Sequence, residues 1–336
     1  MNYANTVAAR WRDKTKPPGS LGRLEWIAER MADIQQCDTP RTAPAALLLF
    51  AGDHGVHSEG VSPYPQAVTA QMVANIAHGG AASSVLAALY RIDYRVYDVG
   101  VAEMLAPHAR IESCNLRQGS RNLRVEDAMT ATETNAAIAI GQRAVRTFAR
   151  DATVVLIGEM GIANSTSAAA LTAALFKQPA DEWVGAGTGL DAAGIAHKAH
   201  VVNAALSRRA YGDTLDTLDT LAALGGFEIA AMVGAYLECA AMRKLILVDG
   251  FIATVALLVA SRMDPAVLDV CIFSHASHER GHRALLQSLG ASPLLDLGMR
   301  LGEGSGALTA YPLLVQSCAL LDSMATFSQA AVTNRA

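Results

Sequence analysis

The chain has 336 residues, of which 51% are hydrophobic and 17% are charged, and this composition is too apolar for a disordered protein. Its 27 Lys and Arg against 31 Asp and Glu give a net charge of −4 without a basic cluster, which argues against nucleic-acid binding. The length suffices for one large domain with a smaller second lobe.

The two ends of the chain differ in pattern from its middle. The first forty residues predict a helix around 24–35 after a Pro-Pro-Gly break, and the last thirty predict helix again after Pro312. We therefore expect residues 1–40 and 307–336 to form a small helical lobe beside a large α/β domain at 41–306.

Between the two ends, short apolar runs stop at glycine or at a polar residue. They predict buried strands at 45–50, 95–101, 153–157, 245–248 and 267–273. Alanine-rich segments of helix length, such as 68–90 and 135–150, lie between them. This alternation predicts an α/β fold with a mainly parallel, Rossmann-like sheet and helices on both faces. Ligands of such sheets bind at the carboxyl ends of the strands.

An Asp-Thr-Leu triplet repeat occupies 213–221, and we interpret it as a solvated helix surface, because a period of three drifts around a helix. No longer repeat and no Pro-rich or Ser-rich linker divides the chain.

Cysteine usage and hydropathy indicate the compartment. Five cysteines lie far apart without a CxxC pair, so neither a disulfide framework nor a thiolate zinc site is predicted. The N-terminus lacks the apolar core of a signal peptide, and the apolar stretch 245–260 is interrupted by Asp249. We expect a cytoplasmic protein without a membrane partner.

Glu159 lies between glycines in the segment 158–167, where a predicted strand gives way to a helix start. Its carboxylate can accept hydrogen bonds from sugar hydroxyls, and the free N–H groups of the helix start can meet a phosphate. An ordinary strand-to-helix turn with a solvated glutamate explains the segment equally well.

A second glycine loop, Gly-Ala-Gly-Thr-Gly-Leu-Asp, occupies 185–191 and is followed by Lys198. The missing side chains let backbone amides approach an anion, and the lysine supplies a countercharge. No GK[ST] follows and no clear strand precedes the loop, so ATP and NAD are disfavoured as ligands.

Two histidine clusters, at 53–57 and 275–282, suggest a metal site, since His275, His278 and His282 would share one face of a helix. Neither cluster has HExxH order, and Gly281 weakens a continuous helix. We favour histidines that form hydrogen bonds in a pocket and predict no metal.

Glu303 is isolated among three glycines immediately before an apolar helical stretch. Burial against a ligand would raise the pKa of this carboxyl and suit it to general-base catalysis near neutral pH. On spacing alone, a glutamate placed at a helix start for the helix dipole is the better explanation.

A set of segments, taken in order, resembles the nicotinate-nucleotide:dimethylbenzimidazole phosphoribosyltransferase family over nearly the whole chain. They are KPPGSLGRLE (16–25), AGDHGV (51–56), GVSPYPQAVTAQMV (60–73), GEMGI (158–162), GTG (187–189), GGFEI (225–229), VDGF (248–251), SHASHE (274–279) and GEGSG (302–306). Many motifs in one order are more specific than any single glycine loop.

The resemblance implies an activity. The family moves 5-phosphoribose from nicotinate mononucleotide to 5,6-dimethylbenzimidazole, which gives nicotinate and α-ribazole 5′-phosphate for the lower ligand of cobalamin. No cofactor is implied, and the resemblance predicts a homodimer.

The resemblance also implies roles for individual residues. The general base corresponds to Glu303, and the carboxylate beside the ribose corresponds to Glu159. The implied phosphate contacts are Gly161, Gly187, Thr188, Gly189 and Lys198. The implied benzimidazole pocket includes Ser62, Gln71 and Leu301, to which position adds Met160 and Tyr64. His275, Ser277 and Glu279 correspond to cleft residues without an assigned role.

One departure from the family pattern is Ala163, where the family usually has glycine; it matters only if the position requires positive φ. Two other functions compete. A dinucleotide-dependent oxidoreductase would need a βαβ unit around 185–189, and a non-catalytic nucleotide carrier would be expected to lack Glu303 and Glu159.

Overall fold

The computed structural model describes residues 2–208 and 216–334, and its centre is a six-stranded sheet. The strands are β1 (Ala45–Gly52), β2 (Asp93–Gly100), β3 (Ile111–Ser113), β4 (Val154–Met160), β5 (Leu245–Val248) and β6 (Cys271–Phe273). All neighbours pair in parallel, in the order β3-β2-β1-β4-β5-β6. The predicted parallel α/β sheet is confirmed.

The site is positioned by the middle of this sheet. Strand β1 pairs with β2 on one side and with β4 on the other, and the chain adds strands outwards in both directions. The strand order therefore reverses between β1 and β4, and a crevice opens where their carboxyl ends separate.

Twelve α-helices surround the sheet in the described residues. They are α1 (Tyr3–Asp13), α2 (Arg23–Gln35), α3 (Val68–His78), α4 (Ala82–Tyr90), α5 (Ala131–Thr147), α6 (Asn164–Phe176), α7 (Ala192–Leu206), α8 (Thr217–Leu224), α9 (Phe227–Ala241), α10 (Phe251–Met263), α11 (His282–Ser288) and α12 (Ser305–Ser323).

Helices cover both faces of the sheet. One set, α2, α3, α4 and α12, and another, α5, α6, α8, α9 and α10, each pack among themselves and against the strands. Every residue of β1 and β5 is buried. Burial on both faces explains why these strands are continuous apolar runs rather than alternating ones.

The two ends of the chain meet in a small second cluster of buried side chains. Val7 and Trp11 of α1 pack with Ala28 and Ala32 of α2 and with Leu321 near the end of α12. Helix α12 begins at Ser305, so the predicted boundary at 306 falls inside its first turn. The division into two domains stays a prediction.

The prediction of a strand over 267–273 is wrong for most of its length. A short 3-10 helix covers Pro265–Val270, and β6 begins only at Cys271. Pro265 at the helix start and the Asp264 side chain, which accepts the N–H of Ala266 at 3.0 Å, favour the helical turn over an extended strand.

The segment 68–90 is two helices rather than the single helix that was predicted. Helix α3 ends at His78 and α4 begins at Ala82, because the intervening Gly79-Gly80 pair terminates the first helix. By length and composition alone the segment is apolar enough to cross a membrane. Its helices of 11 and 9 residues are each shorter than the roughly 20 residues a span requires.

Two further expectations differ from the structure. Helix α12 contains Pro312 rather than beginning after it, at the cost of one helical hydrogen bond. The start of the triplet repeat, 213–215, lies outside the described residues. The remainder leads into α8, where Asp216 and Asp219 are exposed, whereas Thr220 and Leu221 are buried, so the solvated surface ends before Thr220.

Ala163, which stands where the family usually has glycine, adopts the left-handed backbone conformation. The position therefore does have the positive φ that would make the departure matter. Its φ is +74° and its ψ is 3°, at the position before α6. A residue with a Cβ loses about 1–2 kcal/mol in this region relative to the right-handed one. The chain therefore retains a backbone shape that suits glycine while carrying alanine.

We predict that Ala163→Gly stabilises the protein by about 0.5–1 kcal/mol, because relief of the left-handed strain exceeds the entropy that glycine adds to the unfolded chain. Urea unfolding measures this change. The matched control is Ala139→Gly, at an exposed position inside α5, which should destabilise by about 1 kcal/mol. Equal destabilisation by both substitutions would contradict the strain argument.

Candidate active site

A cleft of about 630 Å³ opens at the carboxyl ends of the central strands. Its lining combines a carboxylate cluster, formed by Glu159, Asp249 and Glu303, with glycine loops and an apolar wall. The apolar wall includes Tyr64, Val68, Met72, Met160, Ile162, Phe251, Ile252 and Leu301. A concave apolar cavity with a few convergent polar groups is typical of a small-molecule site.

Glu159 projects from the end of β4, where the continuous apolar strand stops. It is only 6% exposed, and the side-chain amide of Asn164 donates to Oε2. A Cβ on Gly302 would lie 2.1 Å from Oε1, so the loop carrying Glu303 packs directly against this carboxylate. The loop requires glycine at that point.

Burial, followed by the nearby charges of Asp249 and Glu228, raises the pKa of Glu159 to about 8, against the lowering effect of Asn164. A carboxyl with this pKa is largely protonated at neutral pH. A cation entering the cleft would favour its ionised form.

Glu303 is held next to Glu159 by the backbone. Its N–H donates to the main-chain oxygen of Glu159 at 3.1 Å, and its own φ of +64° lies in the left-handed region. Left-handed backbone at a non-glycine residue costs free energy and is concentrated at functional sites. Burial, together with the charge of Asp249, raises the pKa of Glu303, while two hydrogen bonds from Ser83 lower it.

Asp249, which directly follows β5, is the third member of the carboxylate cluster. It accepts the N–H of Ala307 at 3.0 Å, and Gly250 and Gly306 also donate to it, which ties this carboxylate to the start of α12. Burial raises its pKa. In the described part of the chain, no lysine or arginine forms a salt bridge with Glu159, Asp249 or Glu303.

The predicted phosphate residues surround one side of the cleft. Gly187 and Thr188 line it directly, and Gly189 continues the same loop into α7. Lys198 is 1% exposed, and its Nζ donates to Ser165 Oγ at 2.8 Å. Burial lowers the Lys198 pKa to about 8, although the charge of Glu279 raises it.

Gly187 lets the lysine lie immediately behind the loop. Its φ is +54°, and a Cβ there would lie 2.9 Å from Ser165 Oγ and 3.2 Å from Lys198 Nζ. Gly161 is buried and lines the cleft at the entry to α6. The structure thus brings together the sequence-predicted phosphate residues from three separate segments.

The predicted benzimidazole residues are only partly brought together. Leu301 lines the cleft and is 48% exposed, and the Ser62 hydroxyl lies 3.5 Å from that of Thr188. Gln71 is exposed on α3 and is absent from the cleft wall. Val68 and Met72, about one helical turn apart, occupy the wall instead, and Gln71 points elsewhere because successive residues of a helix are rotated by about 100°.

The histidine cluster does not form one helical face. Helix α11 begins at His282, and the residues before it are not helical. His282 accepts the Ser277 N–H at 2.8 Å, and its other ring nitrogen pairs with Thr254 at 3.0 Å. Burial, with the nearby charge of His275, lowers its pKa to about 3, so the ring is neutral.

Of the three residues that the resemblance assigned to the cleft here, His275, Ser277 and Glu279, only the last two line it. Ser277 lines the cleft, whereas His275 is buried behind it, with Nδ1 3.2 Å from Ser274 Oγ. No group of three or more His, Cys, Asp or Glu suited to a metal ion occurs within residues 2–208 and 216–334.

The Asp53-His54 motif forms a buried hydrogen-bond network beneath β1. His54 lies 2.7 Å from Glu228 Oε1 and 2.9 Å from Ser167 Oγ, and Asp53 accepts from Thr69 at 2.6 Å. Burial opposes protonation of His54, but Glu228 raises its pKa overall. Both ring nitrogens of His54 thus have partners, whereas Glu228 Oε2 has no hydrogen-bond partner among the described residues.

Sequence reasoning missed four residues that shape the site. Asp249 and Asn164 lie in quoted motifs but received no role, and Arg300, which donates to the Gly187 oxygen at 3.1 Å, lies beside one. Ser83 contacts Glu303 from 220 positions away. A strand-end carboxylate signals Asp249, whereas nothing local to Ser83 signals its partner.

Comparisons with known proteins place the chain in a family. A family model described as a phosphoribosyltransferase matches residues 1–332. A nicotinate-nucleotide–dimethylbenzimidazole phosphoribosyltransferase of Azotobacter vinelandii is 50% identical over 98% of this chain and 94% of its own length. The enzyme of the same name from Cupriavidus necator is 49% identical, over 96% and 92%.

A solved structure agrees. The crystal structure of CobT from Thermus thermophilus superposes with a TM-score of 0.94 at 40% identity, over the full length of both chains. The chain belongs to the phosphoribosyltransferase family that contains the nicotinate-nucleotide–dimethylbenzimidazole phosphoribosyltransferases.

Proposed function

We propose that this protein transfers 5-phosphoribose from nicotinate mononucleotide to 5,6-dimethylbenzimidazole, which releases nicotinate and forms α-ribazole 5′-phosphate. The observation that carries the proposal is the pair Glu159 and Glu303, two buried carboxylates in one cleft and, among the described residues, without a paired lysine or arginine. The names of the relatives supply the substrates.

The nucleotide binds with its phosphate at the 187–189 loop and Lys198, and with its ribose beside Glu159. The loop offers backbone amides, and the buried ammonium supplies the charge that a phosphate requires. In this orientation the cationic nicotinate ring and the anomeric carbon lie over the carboxylate cluster. The cation favours ionisation of Glu159, whose pKa is about 8 before binding.

The dimethylbenzimidazole ring packs against the apolar wall, between Leu301, Met160 and Tyr64. A flat methylated ring fits a slot of this chemistry, and orientation there holds the nucleophilic nitrogen against the anomeric carbon. Met72 and Val68 extend the wall in the place that Gln71 was predicted to fill.

The reaction requires one general base on the protein. Nicotinate leaves as a neutral ring when its bond to the ribose breaks, so the leaving group needs no proton. Attack by one benzimidazole nitrogen forms the new bond and makes the other nitrogen acidic, and Glu303 accepts that proton. The carboxylates also stabilise the cationic, oxocarbenium-like ribose. In-line attack from the opposite face converts the β-nucleotide to the α-product.

The competing functions fit less well. An oxidoreductase loop would follow a strand, whereas the loop at 185–189 follows a short 3-10 helix, Ala180–Glu182, and precedes α7. A carrier would not need a strained, buried Glu303.

We also propose a cytoplasmic homodimer that acts without a metal ion. The five cysteines are all free, which suits a reducing compartment. Val85 and Leu89 of α4 and Val315 of the adjacent α12 are exposed apolar side chains, and these support a subunit contact.

Glu303→Gln should lower kcat about 10²- to 10⁴-fold while leaving the affinity for nicotinate mononucleotide within about threefold, because it keeps the shape and removes the proton acceptor. Nicotinate release with saturating base measures kcat. Glu103→Gln, at an exposed position, is the matched control. A kcat within threefold of the parent would refute the assigned role.

Lys198→Met should raise the KM for nicotinate mononucleotide about 10- to 100-fold, because it keeps the buried length and removes the charge facing the phosphate. The KM for the base should not change. Lys177→Met, at the exposed C-cap lysine of α6, serves as control. An unaltered nucleotide KM in a folded variant would exclude the phosphate contact.

A further inference from the structure

Helix α4 begins without a cap from its own chain segment. Its N-cap residue is Ala81, whose side chain has no hydrogen-bond acceptor. Ser84 Oγ accepts the N–H of Ala81 at 3.0 Å and donates to its oxygen at 2.9 Å, so it does not serve the next N–H groups of the first turn. Those N–H groups need an acceptor from elsewhere.

Glu303 supplies that acceptor. Ser83, the second residue of α4, donates its hydroxyl to Glu303 Oε2 at 3.0 Å, and its backbone N–H donates to the same carboxylate. Ser83 is fully buried and Glu303 is 4% exposed, so water does not compete for these bonds. Hydrogen bonds to an ionised acceptor are about twice as strong as neutral ones.

We propose that Ser83 is a positioning residue for Glu303: with the N-terminus of α4, it orients the general base and stabilises its ionised form. The inference rests on the role proposed for Glu303. The carboxylate replaces the missing side-chain cap of α4, and the helix holds the base in return, so each needs the other for its geometry.

The surroundings of Glu303 make these two bonds decisive. The charged groups that face it are Asp249 at the end of β5 and Glu159 at the end of β4, and both are carboxyls. Burial disfavours the charged form as well. Ser83 is the neighbour whose hydrogen bonds lower the pKa of Glu303, and without them the carboxyl would be protonated over more of the neutral range.

The test compares Ser83→Ala with Ser84→Ala. Ser84 is buried in the same helical turn but bonds only to Ala81. We expect Ser83→Ala to lower kcat at pH 7 about 10-fold, with both KM values within about twofold. The acid limb of the kcat profile should move up by about one pH unit, because the ionised base has lost a donor. Ser84→Ala should leave that limb in place.

A double-mutant cycle separates Ser83 from a general structural role. In the Glu303→Gln background, Ser83→Ala should have no further effect on kcat, since the group through which it acts is gone. An equal loss in both backgrounds, an unmoved acid limb, or the same loss from Ser84→Ala would overturn the proposal. Full activity of Glu303→Gln alone would instead refute the proposed function. Circular dichroism checks folding, and Ser83→Cys carries the test if the alanine variant does not fold.

Discussion

The central constraint on this structure is the burial of three carboxyl groups, Glu159, Asp249 and Glu303, in one place. In the described residues they have no lysine or arginine partner, and most folds avoid the free-energy cost of such burial. Each raises the free energy of ionising the others, and burial adds to that effect. Buried carboxylates without a lysine or arginine countercharge destabilise a folded protein near neutral pH. On the proposed function, the substrate offsets this cost, because it brings positive charge and develops more of it during the reaction.

The parallel sheet makes this arrangement possible. Glu159 lies at the end of β4 and Asp249 directly follows β5, so hydrogen bonding between these neighbouring strands sets the positions of both carboxyl groups. Glu303 comes from a loop instead, and its left-handed backbone is fixed from two sides, by Glu159 and by the start of α4. The strands thus position Glu159 and Asp249, and the start of α4 holds the loop carboxylate that is proposed as the general base.

The sequence predicted the sheet well because its strands are continuous apolar runs, such as 45–50 and 245–248, that end at glycine or aspartate. It failed at 267–273, where a capping Asp264 and Pro265 favour a helical turn. The site depended on the resemblance, since spacing alone favoured a helix-start role for Glu303. Ser83 could not be predicted, because its partner lies far along the chain and becomes a neighbour only through tertiary packing.

The most direct measurement incubates the purified protein with nicotinate mononucleotide and 5,6-dimethylbenzimidazole, without added metal or NAD, and quantifies the products by chromatography and NMR. We predict nicotinate and a ribotide in equal amounts, with the α configuration at the anomeric carbon. Nicotinate without a ribotide would mean that water is the acceptor. A β-ribotide, or no reaction from folded protein, would contradict the in-line transfer that the carboxylate cluster is proposed to support.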